Sequence, residues 1–313
     1  MALSRDALQA VLTNEDLRGV LERVRPLDMR PRTLRGLSGL GAYRSRFRGQ
    51  GMEFDRVREY NHSDDIRAID WNVTARVGRP FVKVFREERE LSVMLLVDIS
   101  GSMRCGGVHP WSGRNKLLTA CEIAGVFAMT AQQHHDRVGL QTWDQQCRQH
   151  FPIRRGRRHA IRLLGSILDA PESHVPGNMV AALQDYVAAQ RRHSIVVVIS
   201  DFLDPLADLQ AAVSLTSRHH QVIGVQVTDP SEEDLPHAAG PLWLADGEGR
   251  GLFAVPGGVR AARRYRAIYQ EQMDTVRGAF RRAGCDFCQV GSDSDVSGVL
   301  GQFFQQQRGG RGL

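Results

Sequence analysis

Two stretches of this chain are almost continuously apolar, LSVMLLV over residues 91–97 and SIVVVIS over 194–200. A half-buried strand alternates apolar and polar residues. A run without a polar face fits a strand covered on both sides, as in a parallel sheet between two helix layers. Each run is followed at once by an aspartate, Asp98 and Asp201. In a doubly wound sheet of strand order 3-2-1-4-5-6, ligands bind outside the carboxyl ends of the first and fourth strands. Counted from residue 91, the two runs are those strands, so two carboxylates are expected at one crevice.

The pattern around them supports this reading. Helices are predicted over 114–133, 157–169, 178–191, 206–218, 258–283 and 295–307, alternating with strands over 137–143, 147–153, 221–227 and 285–290. The 147–153 segment follows its predecessor too closely for a crossover and is expected to pair antiparallel. Residues 229–257, rich in Pro, Gly and Asp, are expected to be irregular with short strands. The fold class is therefore α/β: an open, mostly parallel sheet with helices on both faces over residues 89–308. Residues 1–88 read as a smaller α+β extension. It holds an amphipathic helix over 5–24, an irregular Arg-, Gly- and Ser-rich segment over 25–52, and strands over 52–60 and 79–85. Between those strands a helix capped by Ser63 is expected. Residues 309–313 read as a frayed tail.

Composition narrows the function classes. Of 313 residues, 42% are hydrophobic and 24% charged, as in an ordinary globular chain that needs no disulfide or metal to hold its core. No apolar run reaches the roughly 18 residues of a membrane helix, and the first residues lack the apolar core of a signal peptide. The 5 cysteines are scattered and odd in number, as suits a reducing cytoplasm. Cys285 and Cys288 form a C-x-x-C on a predicted strand, where their side chains point to opposite faces and chelate or cross-link poorly. His134-His135 and His219-His220 sit near predicted helix ends and are expected in solvent. The net charge is +6, and of 41 basic residues only Lys83 and Lys116 are lysines. That bias reads as a property of the coding sequence. Arginines cluster over 25–48 and 148–162. No nucleic-acid motif accompanies them, so a solvated face or a docking surface for an acidic protein fits better than phosphate tracking.

After the first strand comes Asp98-Ile-Ser100-Gly-Ser102-Met. In a tight loop, residues i, i+2 and i+4 can aim their oxygens at one point, and hard cations such as Mg²⁺ take oxygen ligands. Asp201 can join from the neighbouring strand, directly or through water. The same groups can instead satisfy the loop's own amides.

Asp98, Ser100, Ser102 and Asp201 resemble the metal-ion-dependent adhesion site of von Willebrand factor A-type domains. Gly49-Gln-Gly-Met-Glu-Phe54, Val57-Arg-Glu-Tyr60, Asp64-Asp-Ile-Arg67, Ile69-Asp-Trp71 and Ala75-Arg76 lie upstream, with Asp229-Pro230 and Leu235-Pro236 downstream. Together they resemble the bacterial family called domain of unknown function 58, over about residues 35–305. The resemblance implies a von Willebrand factor A-like fold and a site holding Mg²⁺ or another divalent cation. It further implies a non-enzymatic adaptor that works with a MoxR-type AAA+ ATPase on a client protein. The chain departs from the family in the loop Val175-Pro-Gly-Asn-Met179, where Gly177 stands at the position of a threonine ligand. Asn178 is then the candidate substitute through its amide oxygen, in a weaker site. No G-x-x-x-x-G-K-[ST] loop is present, so the ATPase would be a separate chain. A metal-dependent hydrolase using Asp98 and Asp201 is the rival, but two-metal chemistry calls for more carboxylates. No H-E-x-x-H or G-x-S-x-G motif occurs either. The upstream Asp64, Asp65, Arg67, Asp70, Trp71 and Arg76 read either as a folded ion-pair network or as a recognition surface.

Overall fold

In the computed structural model of the chain, the described residues are 15–24, 52–61, 66–87, 91–105, 115–204, 206–235, 240–245, 247–248 and 251–309. They divide into one unit from Met1–Arg35 with Leu91–Leu313 and a second from Gly36–Glu90. Helix α1 (Glu15–Arg23) belongs to the first. The second holds β1 (Met52–Glu59), α2 (Trp71–Val77) and β2 (Phe81–Glu87), with β1 and β2 antiparallel. Asp70 starts α2, its Oδ1 accepting the Asn72 and Val73 amides at 3.0 and 3.4 Å. Gly78, at φ 73°, ends it. The helix thus begins later than expected, and Ser63, Asp64 and Asp65 lie outside the described residues. Trp71 is 67% exposed, so it is a surface residue and not a core anchor.

The first unit continues with β3 (Ser92–Asp98), α3 (Lys116–Gln133), β4 (Arg137–Trp143), β5 (Cys147–Arg154), α4 (Arg157–Leu168) and α5 (Met179–Ala189). Then come β6 (Ile195–Ser200), α6 (Leu209–Ser217), β7 (Gln221–Thr228), α7 (Pro230–Glu233), β8 (Leu242–Ala245), β9 (Leu252–Val255), α8 (Val259–Arg282), β10 (Asp286–Gly291) and α9 (Val296–Gly309). The main sheet runs β5-β4-β3-β6-β7-β10, which is the expected 3-2-1-4-5-6 order. All pairs are parallel except β4–β5, which is antiparallel as expected. A hairpin, β8–β9, stands apart from this sheet. Among the described residues no helix is long and apolar enough to cross a membrane.

The unbroken apolar runs follow from the layering. Val93, Leu95 and Val97 feed one core with α1, α3, α4 and α9, whereas Met94 and Leu96 feed the other with α5, α6 and α8. On β6, Val197 and Ile199 join the first core and Val196 and Val198 the second. No residue between the ends of these strands meets water, so none is polar. Cys288 joins the first core and Cys285 packs against the second, so the C-x-x-C side chains do point to opposite faces. Burial pushes their thiols up, to about 12 for Cys288 and about 11 for Cys285.

Two expectations change. The N-terminal helix, grouped with residues 1–88 on sequence, packs in the larger unit. Leu17 and Val20 are buried in the first core, and Arg23 pairs with the buried Glu122 at 3.2 Å. Gly125 of α3 permits this approach, because a methyl there would press on Val24. The second change is His220, which is buried although His219 beside it is exposed. Its Nδ1 meets Ser194 Oγ at 2.9 Å, and Ser194 in turn meets Tyr186 OH at 2.7 Å. Burial lowers its pKa to about 4, so it is neutral in this chain of hydrogen bonds.

If α1 is part of the larger core, Leu17→Ala removes buried volume and lowers the unfolding free energy by about 2–5 kcal/mol. A urea titration reads this directly, and a change near zero contradicts the placement.

Candidate functional site

Four adjacent strands, β4, β3, β6 and β7, each deliver an aspartate at the carboxyl end: Asp144, Asp98, Asp201 and Asp229. All four are buried. Buried carboxylates need partners, and each finds a different one. Asp144 accepts from Arg148 Nε at 2.7 Å and Ser173 Oγ at 2.8 Å. Asp229 caps α7 through the Ser231 amide at 3.0 Å and accepts from Ser292 Oγ at 2.7 Å. These two brace loops.

Asp98 and Asp201 form the centre, side by side because β3 and β6 are paired up to Val97 and Ile199. Asp98 Oδ1 accepts the Ser100 amide at 2.9 Å, and its Oδ2 accepts Ser200 Oγ at 2.6 Å. The Ser100 and Ser102 hydroxyls face each other at 3.2 Å. Neither caps the short 3₁₀ turn Gly101–Arg104 that follows. The loop therefore uses the Asp98 carboxylate for its own amide but leaves the hydroxyl pair together. Arg104 anchors the far end of the turn on the Ala170 and Pro171 carbonyls. The other side is closed backbone to backbone: a methyl at Gly101 would overlap the Gly247 carbonyl in the β8–β9 turn.

Asp201 is held by a residue that no sequence motif singles out. Lys116, 0% exposed at the start of α3, donates to Asp201 Oδ2 at 2.6 Å and to Glu232 Oε1 and Oε2 at 2.7 and 2.5 Å. Burial by itself would lower the lysine pKa, but the two carboxylates more than offset it and hold the ammonium well above its usual range. Only one other lysine occurs among the 41 basic residues. A lysine persisting in such a chain was the available signal. A compact ammonium fits between two carboxylates where a planar guanidinium needs more room.

Asp204 is the second residue missed. After Asp201 the backbone turns through Phe202 in the left-handed region, φ 57°. The Phe202 amide bonds Ser200 Oγ at 3.0 Å, and its ring packs on Phe280 with centroids 5.6 Å apart. This strained turn brings Asp204 back toward Asp98. Its Oδ2 accepts the Met179 amide at 3.2 Å, and the carboxylate lies against Gly177, where a methyl would overlap it. Asn178 has a different task from the one expected. It is exposed, and its Oδ1 caps α5 through the Ala181 amide at 3.0 Å. Burial, then the Asp201 charge, pushes the Asp98 pKa up to about 7. Burial, then the Asp98 and Asp201 charges, pushes Asp204 up to about 8.

Among the described residues no three His, Cys, Asp or Glu side chains converge as a metal cage. The fit of a cation rests instead on mixed oxygen donors. Among the described residues Asp98 and Asp204 have no cationic partner, Ser100 and Ser102 turn their hydroxyls to each other beside Asp98, and Gly177 leaves room for Asp204. Hard oxygens with excess negative charge suit Mg²⁺ or a similar ion. A cleft of about 500 Å³ opens beside Asp204, lined by Leu203, Asp204 and Leu206 after β6, by Glu248 of the β8–β9 turn and by residues of α8. Of the arginine clusters, 25–48 lies outside the described residues. In the other, Arg148 pairs with Asp144 and Arg162 lies 5.0 Å from the Phe151 ring centre, whereas Arg154, Arg155, Arg157 and Arg158 are exposed.

The family described as "Protein of unknown function DUF58" matches residues 56–277. An uncharacterized protein of Mycobacterium tuberculosis (strain H37Rv) is 31% identical over 202 residues, covering 64% of this chain and 62% of that protein. The chain thus spans less than two thirds of that relative's length. Among solved structures, the conserved hypothetical protein BatB from Bacteroides thetaiotaomicron is 15% identical, covering 70% of this chain and 99% of that one, with a TM-score of 0.47. The SpRpn10 VWA domain is 13% identical, covering 68% and 95%, with a TM-score of 0.38. A von Willebrand factor type A structure from Catenulispora acidiphila is 10% identical, covering 72% and 43%, with a TM-score of 0.40.

Both raised carboxylate pKa values lie above the unfolded value near 4, so between there and about pH 8 the folded chain binds more protons than the unfolded one. Below about pH 6.5 the lowered pKa of the buried His220 gives the opposite slope, so stability in EDTA is expected to fall as pH rises from about 6.5 to 8. A flat thermal-melting profile contradicts this. Lys116→Met leaves Asp201 and Glu232 without their cation and is expected to cost about 3–5 kcal/mol in chemical denaturation.

Proposed function

Because this chain belongs to the DUF58 family and folds as a von Willebrand factor A-like sheet, we propose that it is a non-enzymatic protein-interaction module with an adhesion-type divalent site. The observation carrying this reading is the grouping of Asp98, Ser100 and Ser102 at the end of β3. The acid is fixed there by Ser200, and both hydroxyls stay out of helix capping. Asp98 and the two serines would hold Mg²⁺ or a related ion, which would offer a partner protein a Lewis-acidic coordination position. The chain's own part is to fix the oxygens and exclude competing groups.

The partner we propose is a MoxR-type AAA+ ATPase, with a client protein as the object of their joint work. Support for this comes from the family membership alone. A hydrolytic centre built on Asp98 and Asp201 is a poorer fit, since Asp201 is neutralised by Lys116. The exposed arginines over 154–158 supply positive charge for an acidic partner surface.

The test is capture of the MoxR-type ATPase of the source organism by the immobilised full chain, in Mg²⁺ and in EDTA. Capture is expected in Mg²⁺ and loss in EDTA, with Asp98→Ala behaving in Mg²⁺ as the native chain does in EDTA. Equal capture under all these conditions removes the metal from the interaction. No capture under any of them removes the ATPase.

A further inference from the structure

Among the described residues of the larger unit, six large apolar side chains are exposed, and five of them fall between residues 243 and 268. Trp243 at 68%, Leu252 at 67% and Phe253 at 47% belong to the β8–β9 hairpin, Val259 opens α8 and Ile268 lies further along it. Exposed apolar residues scattered singly are ordinary, but a group in one short stretch marks a binding surface.

Positive charge is segregated beside it. In the first turns of α8, Arg260, Arg263 and Arg264 are exposed and, among the described residues, bonded to no acid, whereas Arg266 pairs with Asp234. At i, i+3 and i+4 the three share one face of the helix. The first turn carries no acid, and its N-cap, Gly258, has no side chain to offer the free amides. Cations at the start of a helix oppose its dipole, so these arginines do not serve the helix. They suit a negatively charged ligand. Only residues 256–258 separate β9 from α8, which keeps the apolar and basic parts in one stretch.

We propose that the β8–β9 hairpin and the first turns of α8 form a docking face for an anionic lipid surface. Trp243, Leu252 and Phe253 enter the interfacial layer, and Arg260, Arg263 and Arg264 meet the headgroup phosphates. This stands apart from the divalent site and from the ATPase. The hairpin favours lipid over a folded protein. Alternation along its strands puts Trp243 and Leu252 on one face and Phe253 on the other. A rigid partner covers one face of a two-stranded hairpin, whereas a fluid layer surrounds both. Tryptophan also suits the headgroup level, where its ring is buried and its N–H stays wet. The strands form a two-stranded sheet, so their outer backbone groups need water or headgroups, which keeps the entry shallow.

The experiment is flotation of the full chain, in EDTA and at low ionic strength, with vesicles of phosphatidylcholine alone or of an equal mixture with phosphatidylglycerol. The native chain is expected to float with the anionic vesicles, not with the neutral ones, and to be released by salt. Arg260→Gln, Arg263→Gln and Arg264→Gln together are expected to weaken binding by about tenfold or more. Trp243→Ala with Leu252→Ala is expected to weaken it by a similar factor, through lost apolar contact. Leu215→Ala, on α6, is expected to leave it unchanged. All these positions are exposed, and circular dichroism checks that the fold is kept. Absence of binding to anionic vesicles, or binding that survives both sets of substitutions, overturns the proposal. Light scattering without vesicles checks for a second copy: a native dimer lost in the Trp243→Ala, Leu252→Ala chain assigns the face to self-association and overturns the lipid reading. Unbound vesicles, with capture of the ATPase lost in the arginine variant, assign it to an acidic protein and overturn it equally.

Discussion

The Lys116 ammonium between Asp201 and Glu232 is the interaction on which the carboxyl edge of the sheet depends. Parallel pairing of β3 with β6 forces Asp98 and Asp201 into neighbouring positions, and the turn at Phe202 adds Asp204. At an effective dielectric near 20, two like charges about 4 Å apart repel by about 4 kcal/mol, so such a group cannot all be ionised and buried without compensation. A lysine at the first turn of α3 removes one acid from the sum, and Glu232 completes its coordination. The remaining pair, Asp98 and Asp204, is eased by serines, amides and raised proton affinity.

The fold was legible because its signals are one-dimensional. Unbroken apolar runs followed by aspartates, and a strand too close behind its neighbour to cross over, fix direction and order with no knowledge of side-chain reach. The candidate site was legible only where its members lie in one loop, as Asp98, Ser100 and Ser102 do. Lys116 and Glu232 meet across a separation in sequence that no spacing rule spans. Asp204 became visible only once the left-handed turn at Phe202 was known to fold it back. Asn178, a candidate ligand on sequence, is engaged as a cap for a related reason. An asparagine just ahead of a helix has a capping role available locally, and that local bond prevails. The buried His220 shows the same limit, since its partners Ser194 and Tyr186 precede it on other elements.

The arginines of residues 148–162 have a physical place apart from any partner. Strand β5 is the antiparallel edge of the sheet, with alternate residues turned outward. An uncovered edge invites another chain to pair with it, and bulky charges there discourage that. Arg148 and Arg154 flank this edge, and Arg155, Arg157 and Arg158 continue the charge beyond it.

The contact between Gly101 and Gly247 joins the serine loop to the turn of the β8–β9 hairpin with no side chain between. Side chains can rotate to absorb a shift; two backbones in contact cannot. The hairpin carries Trp243 at 68% exposed and Leu252 at 67% on one face, since Trp243 pairs with Ala254 and Ala245 with Leu252. A displacement of that apolar paddle toward the sheet is therefore also a displacement of the oxygens of Ser100 and Ser102. The two glycines make a hard mechanical stop, at which the hairpin turn and the serine loop meet backbone against backbone.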